Sequence, residues 1–225
     1  MALFSRKNKT ESVSETQESI EQEATEPKTE GPFDIADAKV DGMLDLGVLH
    51  LPREAGVRVQ FTINRATRAA IGALVQMVGS SMTLTVLAAP KSDTLWPDVR
   101  DEMVNSIKDG GGTASLREGP FGPEVEALIP KPEVNETRHV RVVGVDGPRW
   151  MLRAEIAGQA VTDQQARQAL YDFLTKVVVD RGGDPHPVRD IIELSMPDSA
   201  RAQVDEKLGK PVARKSSGPE LPELR

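Results

Sequence analysis

From Val57 to Ile63 the chain alternates: Val57, Val59, Phe61 and Ile63 fall on one side, Arg58, Gln60 and Thr62 on the other. A period of two is that of a half-buried strand. Two further apolar runs, 70–79 and 81–90, predict a hairpin turning at Gly79, Ser80 and Ser81. Met82, Leu84 and Val86 share one of its faces, Thr83 and Thr85 the other. After Pro90 the period changes. Leu95, Val99, Met103 and Ile107 recur by fours with Trp96 beside them, which predicts a helix with Asp93 as its cap and Pro97 in its first turn. The glycines at 110–112 stop it. Strands are predicted over 113–122 and 124–130, turning between Gly119 and Pro123, and over 137–145. The partner of that last strand has Trp150, Leu152, Ala154 and Ile156 on one face and Met151, Arg153 and Glu155 on the other. Asp146-Gly147 is a turn signal. Because Pro148 has no N–H, a wider turn is expected from Asp146 to Pro148. Thr162 and Gln165 fit a capping box. The second helix carries Ala166, Leu170, Phe173, Leu174 and Val177 as its stripe and is expected to run until Arg181, Gly182 and Gly183 end it.

Runs of strands interrupted by two helices predict an α+β fold, with a mainly antiparallel sheet and the helices packed on it. One domain is expected over 33–197. An acidic, disordered tail is expected over 1–32, since residues 5–30 hold seven glutamates and almost no aliphatic side chains. A flexible tail is expected over 198–225, with a short helix from Ala200 to Leu208. With aromatic content at 4%, the core must be aliphatic.

The charge of −7 disfavours nucleic-acid binding, which needs clustered Lys and Arg. The lack of cysteine removes disulfides, thiolate metal sites and cysteine nucleophiles together. No apolar run approaches the roughly 20 residues of a membrane span, and no export signal is read, so a cytoplasmic setting is expected. Leu3 and Phe4 beside Arg6, Lys7 and Lys9 form a patch too short to anchor the chain to a membrane alone.

Specific chemistry is sparse. The run "DGGGTASL" at 109–116 lacks the Lys-Ser/Thr of a phosphate loop and follows a helix, so it reads as a helix stop. No Gly-x-Ser-x-Gly elbow occurs. His50, His139 and His186 have no helical partner at four residues, and His139 reads as a surface side chain on a strand. His186 with Asp184 and Asp190 is the one weak candidate for a hard-metal or general-base site. Trp150 is expected at a sheet corner in the core. The competing reading is a small-ligand pocket under Trp150, with Arg149, Arg153 and Trp96 at its rim. No cofactor is implied.

Several segments together carry a family resemblance: "GPFDIADA" at 31–38, "LDLGVLHLP" at 44–52, "LAAPKSDTLWPDVRDEM" at 87–103, "REGPFGPEVEALIP" at 117–130, "VVGVDGPRWMLRAEIAG" at 142–158 and "VVVDRGGDPHPVRDIIELSMP" at 177–197. They resemble the actinobacterial family catalogued as domain of unknown function 3710, over about 31–197. The resemblance implies a high-GC Gram-positive source and a cytosolic setting, and brings no activity or catalytic residue with it. His186 departs from it, standing where a less polar residue is expected. In architecture, the order of elements is similar to a Mog1/PsbP-like sandwich, whose members mostly bind partners. The expectation is therefore a non-catalytic binding or adaptor module with a protein partner. The alternatives are the ligand binder at Trp150 and an enzyme of unrecognised type at the Asp184–Asp190 loop. An exposed sheet edge leaves room for a homodimer.

Overall fold

The computed structural model describes residues 31–132 and 135–208. The acidic tail, the patch at Leu3 to Lys9 and the end of the C-terminal tail lie outside them. Gly31 and Pro32, assigned to the tail from sequence, are buried.

Eleven strands and three α-helices are described: β1 (Phe33–Asp34), β2 (Leu44–Asp45), β3 (Leu49–Leu51), β4 (Arg58–Ile63), β5 (Ala70–Met77), β6 (Ser80–Ala88), α1 (Trp96–Asp109), β7 (Thr113–Gly119), β8 (Gly122–Lys131), β9 (Glu136–Gly147), β10 (Trp150–Gly158), α2 (Gln164–Leu174), β11 (Val178–Val179) and α3 (Asp198–Leu208). Seven of the strands form one antiparallel sheet in the order β4-β5-β6-β10-β9-β8-β7. A small sheet, β1-β11-β3-β2, holds the one parallel pair, β1 with β11. The fold is α+β, as the alternation predicts.

Each face of the large sheet is covered over part of its width. On one face, Ala73, Val75, Met82, Leu84, Val86, Leu152, Ala154 and Ile156 pack under α2 (Leu170, Phe173, Leu174) and the small sheet (Leu49, Leu51, Val179). On the other, α1 lays Leu95, Trp96, Val99, Met103 and Ile107 over Val125, Ala127, Val140 and Val142. The predicted stripe of α1 is the one it buries.

Several local expectations are corrected. The β5–β6 turn is Val78-Gly79, both at positive φ, and Ser80 and Ser81 belong to β6. The β9–β10 turn is Pro148-Arg149, not Asp146 to Pro148, because Gly147 still pairs with Trp150. Proline sits second in this turn, where its missing N–H is not needed, and Arg149 sits third at φ 63°, as in a type II turn. Asp93 does not cap α1; the carboxylate of Asp146 accepts from the backbone N–H groups of Leu95 (2.8 Å) and Trp96 (3.1 Å). In α2 the cap is Asp163, which accepts from the N–H of Ala166 at 3.0 Å, in place of Thr162. That helix stops at Leu174, because Val178 and Val179 leave it to pair with β1 and β3. Three β-branched residues in a row favour a strand.

Candidate functional site: a charged network on the sheet

Under α1, β8 and β9 present Val125, Ala127, Val140 and Val142, and the alternation of the same strands sends Glu124, Glu126, His139 and Arg141 to the opposite side. Register brings them together. Glu126 stands across from Arg141, and on the outer side Arg117 stands across from Glu124.

Glu124 is fully buried. Its Oε2 accepts from the Tyr171 hydroxyl of α2 at 2.6 Å and from Arg141 Nη1 at 3.2 Å. Its Oε1 has no hydrogen-bond partner, nor has the buried Nε of Arg141. Gly119 makes room for this carboxylate, since a methyl group there would run into it. Tyr171 is held from its other side by the edge of the Phe121 ring, 5.7 Å between centroids. Burial, and then the hydrogen bond to the Glu124 carboxylate, push the phenol well above its ordinary value, so the hydroxyl stays a donor. Burial works against the charge of Arg141, but its bond to Glu124 and the negative groups around it hold it above the usual guanidinium value.

Glu126 leads to the surface. It accepts from Arg117 Nε at 2.9 Å and Arg141 Nη2 at 3.2 Å, and meets His139 Nε2 at 3.0 Å. The Arg117 bond lowers its pKa against the effect of burial, with His139 and Arg141 adding to the lowering. The network thus runs Tyr171–Glu124–Arg141–Glu126 and ends at Arg117 and His139, whose side chains are 56% and 32% exposed. Around it lie the exposed Thr113, Ser115, Leu128 and Thr137. Two guanidinium groups balance two carboxylates. A general acid or base works best with a pKa near the operating pH. Glu126 is moved below that range and Tyr171 above it.

The residues singled out from sequence lie elsewhere. Trp150 is buried at the sheet corner, and its indole donates to Asp34 Oδ2 at 2.7 Å. Trp96 is buried on the opposite side of the sheet, lies over Gly144 and donates to the Pro123 carbonyl at 2.9 Å. Arg153 is half-buried across from Gly144, on the Trp96 side, and Arg149 is exposed in the turn. The four are not brought into one cleft. Asp184 and Asp190 are exposed and His186 is half-buried. The Asp184 carbonyl accepts from Arg181 at 2.6 Å and that of Asp190 from the N–H of Ala88 at 2.8 Å, so these two contribute backbone bonds to the fold. Among the described residues no group of three His, Asp or Glu is placed to hold a metal ion. Sequence reasoning missed Glu124, Glu126, Arg141 and Tyr171. The available signal was the alternation of acids in β8 and basic residues in β9, which puts both sets on one face once the two strands are paired.

A family model described as "Protein of unknown function (DUF3710)" matches residues 31–203. No curated protein matches the chain. Solved structures similar to it include two of low identity. One is the cyanobacterial PsbP (CyanoP) of Synechocystis sp. PCC 6803, at 10% identity and a TM-score of 0.36, covering 59% of this chain and 86% of that one. The other is LpqN of Mycobacterium tuberculosis, described as involved in cell envelope biogenesis, at 15% identity and a TM-score of 0.31, covering 67% and 99%.

Proposed function

The chain belongs to the DUF3710 family of proteins of unknown function, and from that premise we propose that it is a non-catalytic binding module whose protein partner docks on the polar face of β7, β8 and β9. The observation that carries this reading is the anchoring of surface charges by buried ones. Taking a carboxylate and a guanidinium out of water costs several kcal/mol per ion. The fold accepts that cost at Glu124 and Arg141, and the result is a surface Glu126 fixed by three basic side chains. Side chains already ordered lose less entropy when a partner binds. Leu128, 43% exposed beside them, supplies an apolar contact. The matching partner surface alternates acidic and basic groups around a small apolar contact. No helix among the described residues is long and apolar enough to cross a membrane.

The test is photo-crosslinking in cells that make the full chain. A photoreactive residue replaces Thr137 or Leu128 on this face, or Gln60 on the opposite side of the sheet. The expected result is one recurring heterologous adduct from Thr137 and Leu128 that weakens when Glu126→Ala is added. The same adduct from Gln60, or none from the polar face, overturns the proposal.

A further inference from the structure

The two edges of the large sheet differ in character. At one end, β4 shifts register between Thr62 and Ile63, an irregularity of the kind that discourages pairing with another chain. At the other end, β7 pairs with β8 through all seven residues, from Thr113 opposite Leu128 to Gly119 opposite Gly122, with no shift. It contains no proline or lysine, and no described strand lies on its outer side. A regular edge of this length presents a row of unpaired N–H and C=O groups. Leu116 adds an aliphatic side chain that is 47% exposed.

We propose that β7 pairs antiparallel with β7 of a second copy of this chain, about a twofold axis at Leu116, so that two seven-stranded sheets become one. The choice of a second copy rests on self-complementarity. With the axis at Leu116, Leu116 meets its own copy, Ala114 meets Glu118, Ser115 meets Arg117 and Thr113 meets Gly119. All seven residues then find a partner. On the α1 side the centre of the contact is leucine on leucine. On the other side each Arg117 lies across from Ser115 of the second copy, and the next residue in that row is Glu126, which stands opposite Ser115 on β8. Each guanidinium therefore meets a neutral Ser115 directly, and the next charge beyond it in the row, that of Glu126, is opposite in sign. Moving the axis to Arg117 would set two guanidinium groups against each other. Moving it to Ser115 would leave Glu118 and Gly119 unpaired. This inference shares Arg117 and Ser115 with the partner face, but its test reads the backbone edge through Leu116, which points to the other side of the sheet.

The chain has no cysteine, so Leu116→Cys introduces a single thiol. Directly opposed residues in an antiparallel pair have Cα atoms about 4.5–5.5 Å apart, within the reach of a disulfide. The full chain is expected to sediment as a dimer at about 100 µM, a concentration at which even a modest affinity shows. Under mild oxidation Leu116→Cys should cross-link to itself, and Asn105→Cys, exposed on α1, should not. Leu116→Lys, a substitution typical of blocked edges, should weaken the dimer at least about tenfold and leave the circular dichroism unchanged. A monomer at that concentration, a dimer indifferent to Leu116→Lys, or equal cross-linking from Asn105→Cys would overturn the proposal. Pairing with a strand of a different protein would show as a monomer in the purified chain, and so counts against it too.

Discussion

Tyr171 is the only tyrosine in the chain, so its ionisation can be read directly in the ultraviolet. Burial and the Glu124 carboxylate raise its pKa in the folded protein above the ordinary 10.0. A group raised in this way adds stability that is present below its unfolded pKa and is lost as pH rises beyond it. The expected titration shows no tyrosinate absorbance around pH 10, with the signal appearing only as the fold opens at higher pH. Absorbance rising reversibly at pH 10 in folded protein would disprove the buried bond. Tyr171→Phe should lower stability by about 1–3 kcal/mol, since it leaves Glu124 buried with one donor fewer. At this scale the sequence was legible for burial and silent on partners. Trp150 alternates onto the apolar face as read, and a buried indole N–H calls for an acceptor. That acceptor, Asp34, lies 116 residues away, and no local pattern could name it.

Elements show the same division between local and distant causes. The stripe of α1 was readable because a period of 3.6 belongs to the helix alone. Its cap was not, because the oxygen comes from Asp146 on β9, 51 residues from Leu95. Asp93 was a sound local candidate that the tertiary arrangement bypassed. The two aspartates therefore separate cleanly. Asp146→Ala should destabilise the protein by about 1–2 kcal/mol, the usual worth of an N-cap. Asp93→Ala, at an exposed position, should stay within about 0.5 kcal/mol of the parent. Urea denaturation of the two variants decides it, and an equal loss from both would restore the local cap. The small sheet was missed for a related reason. Its strands are two or three residues long, too short to show a period of two, and β11 meets both β1 and β3 across more than a hundred residues of chain, as Phe33 does with Val178.

For the whole molecule, α1 and α2 cover different halves of opposite faces, and α2 reaches the charged network through Tyr171. Neither layer alone explains why Glu124 is buried; the contact of Tyr171 with it ties α2 to the outer half of the sheet. Stability against acid should follow from the same network. The pKa of Glu126 lies below its ordinary 4.5 in the folded protein, chiefly through Arg117. A depressed carboxylate adds stability that is fully present above its unfolded pKa and is lost as pH falls through the folded value. Unfolding free energy should therefore hold steady from neutral pH down to about pH 5 and then decline. Glu126→Gln keeps the shape of the side chain and removes its charge. It should be less stable than the parent at about pH 7, and the two should converge by about pH 2, where the parent carboxylate is protonated as well. Denaturation of both proteins across that range measures the gap. A gap that stays constant down to the acid end would mean that Glu126 stabilises the fold by packing, and that its ion pairs with Arg117 and Arg141 contribute nothing to holding the outer strands together.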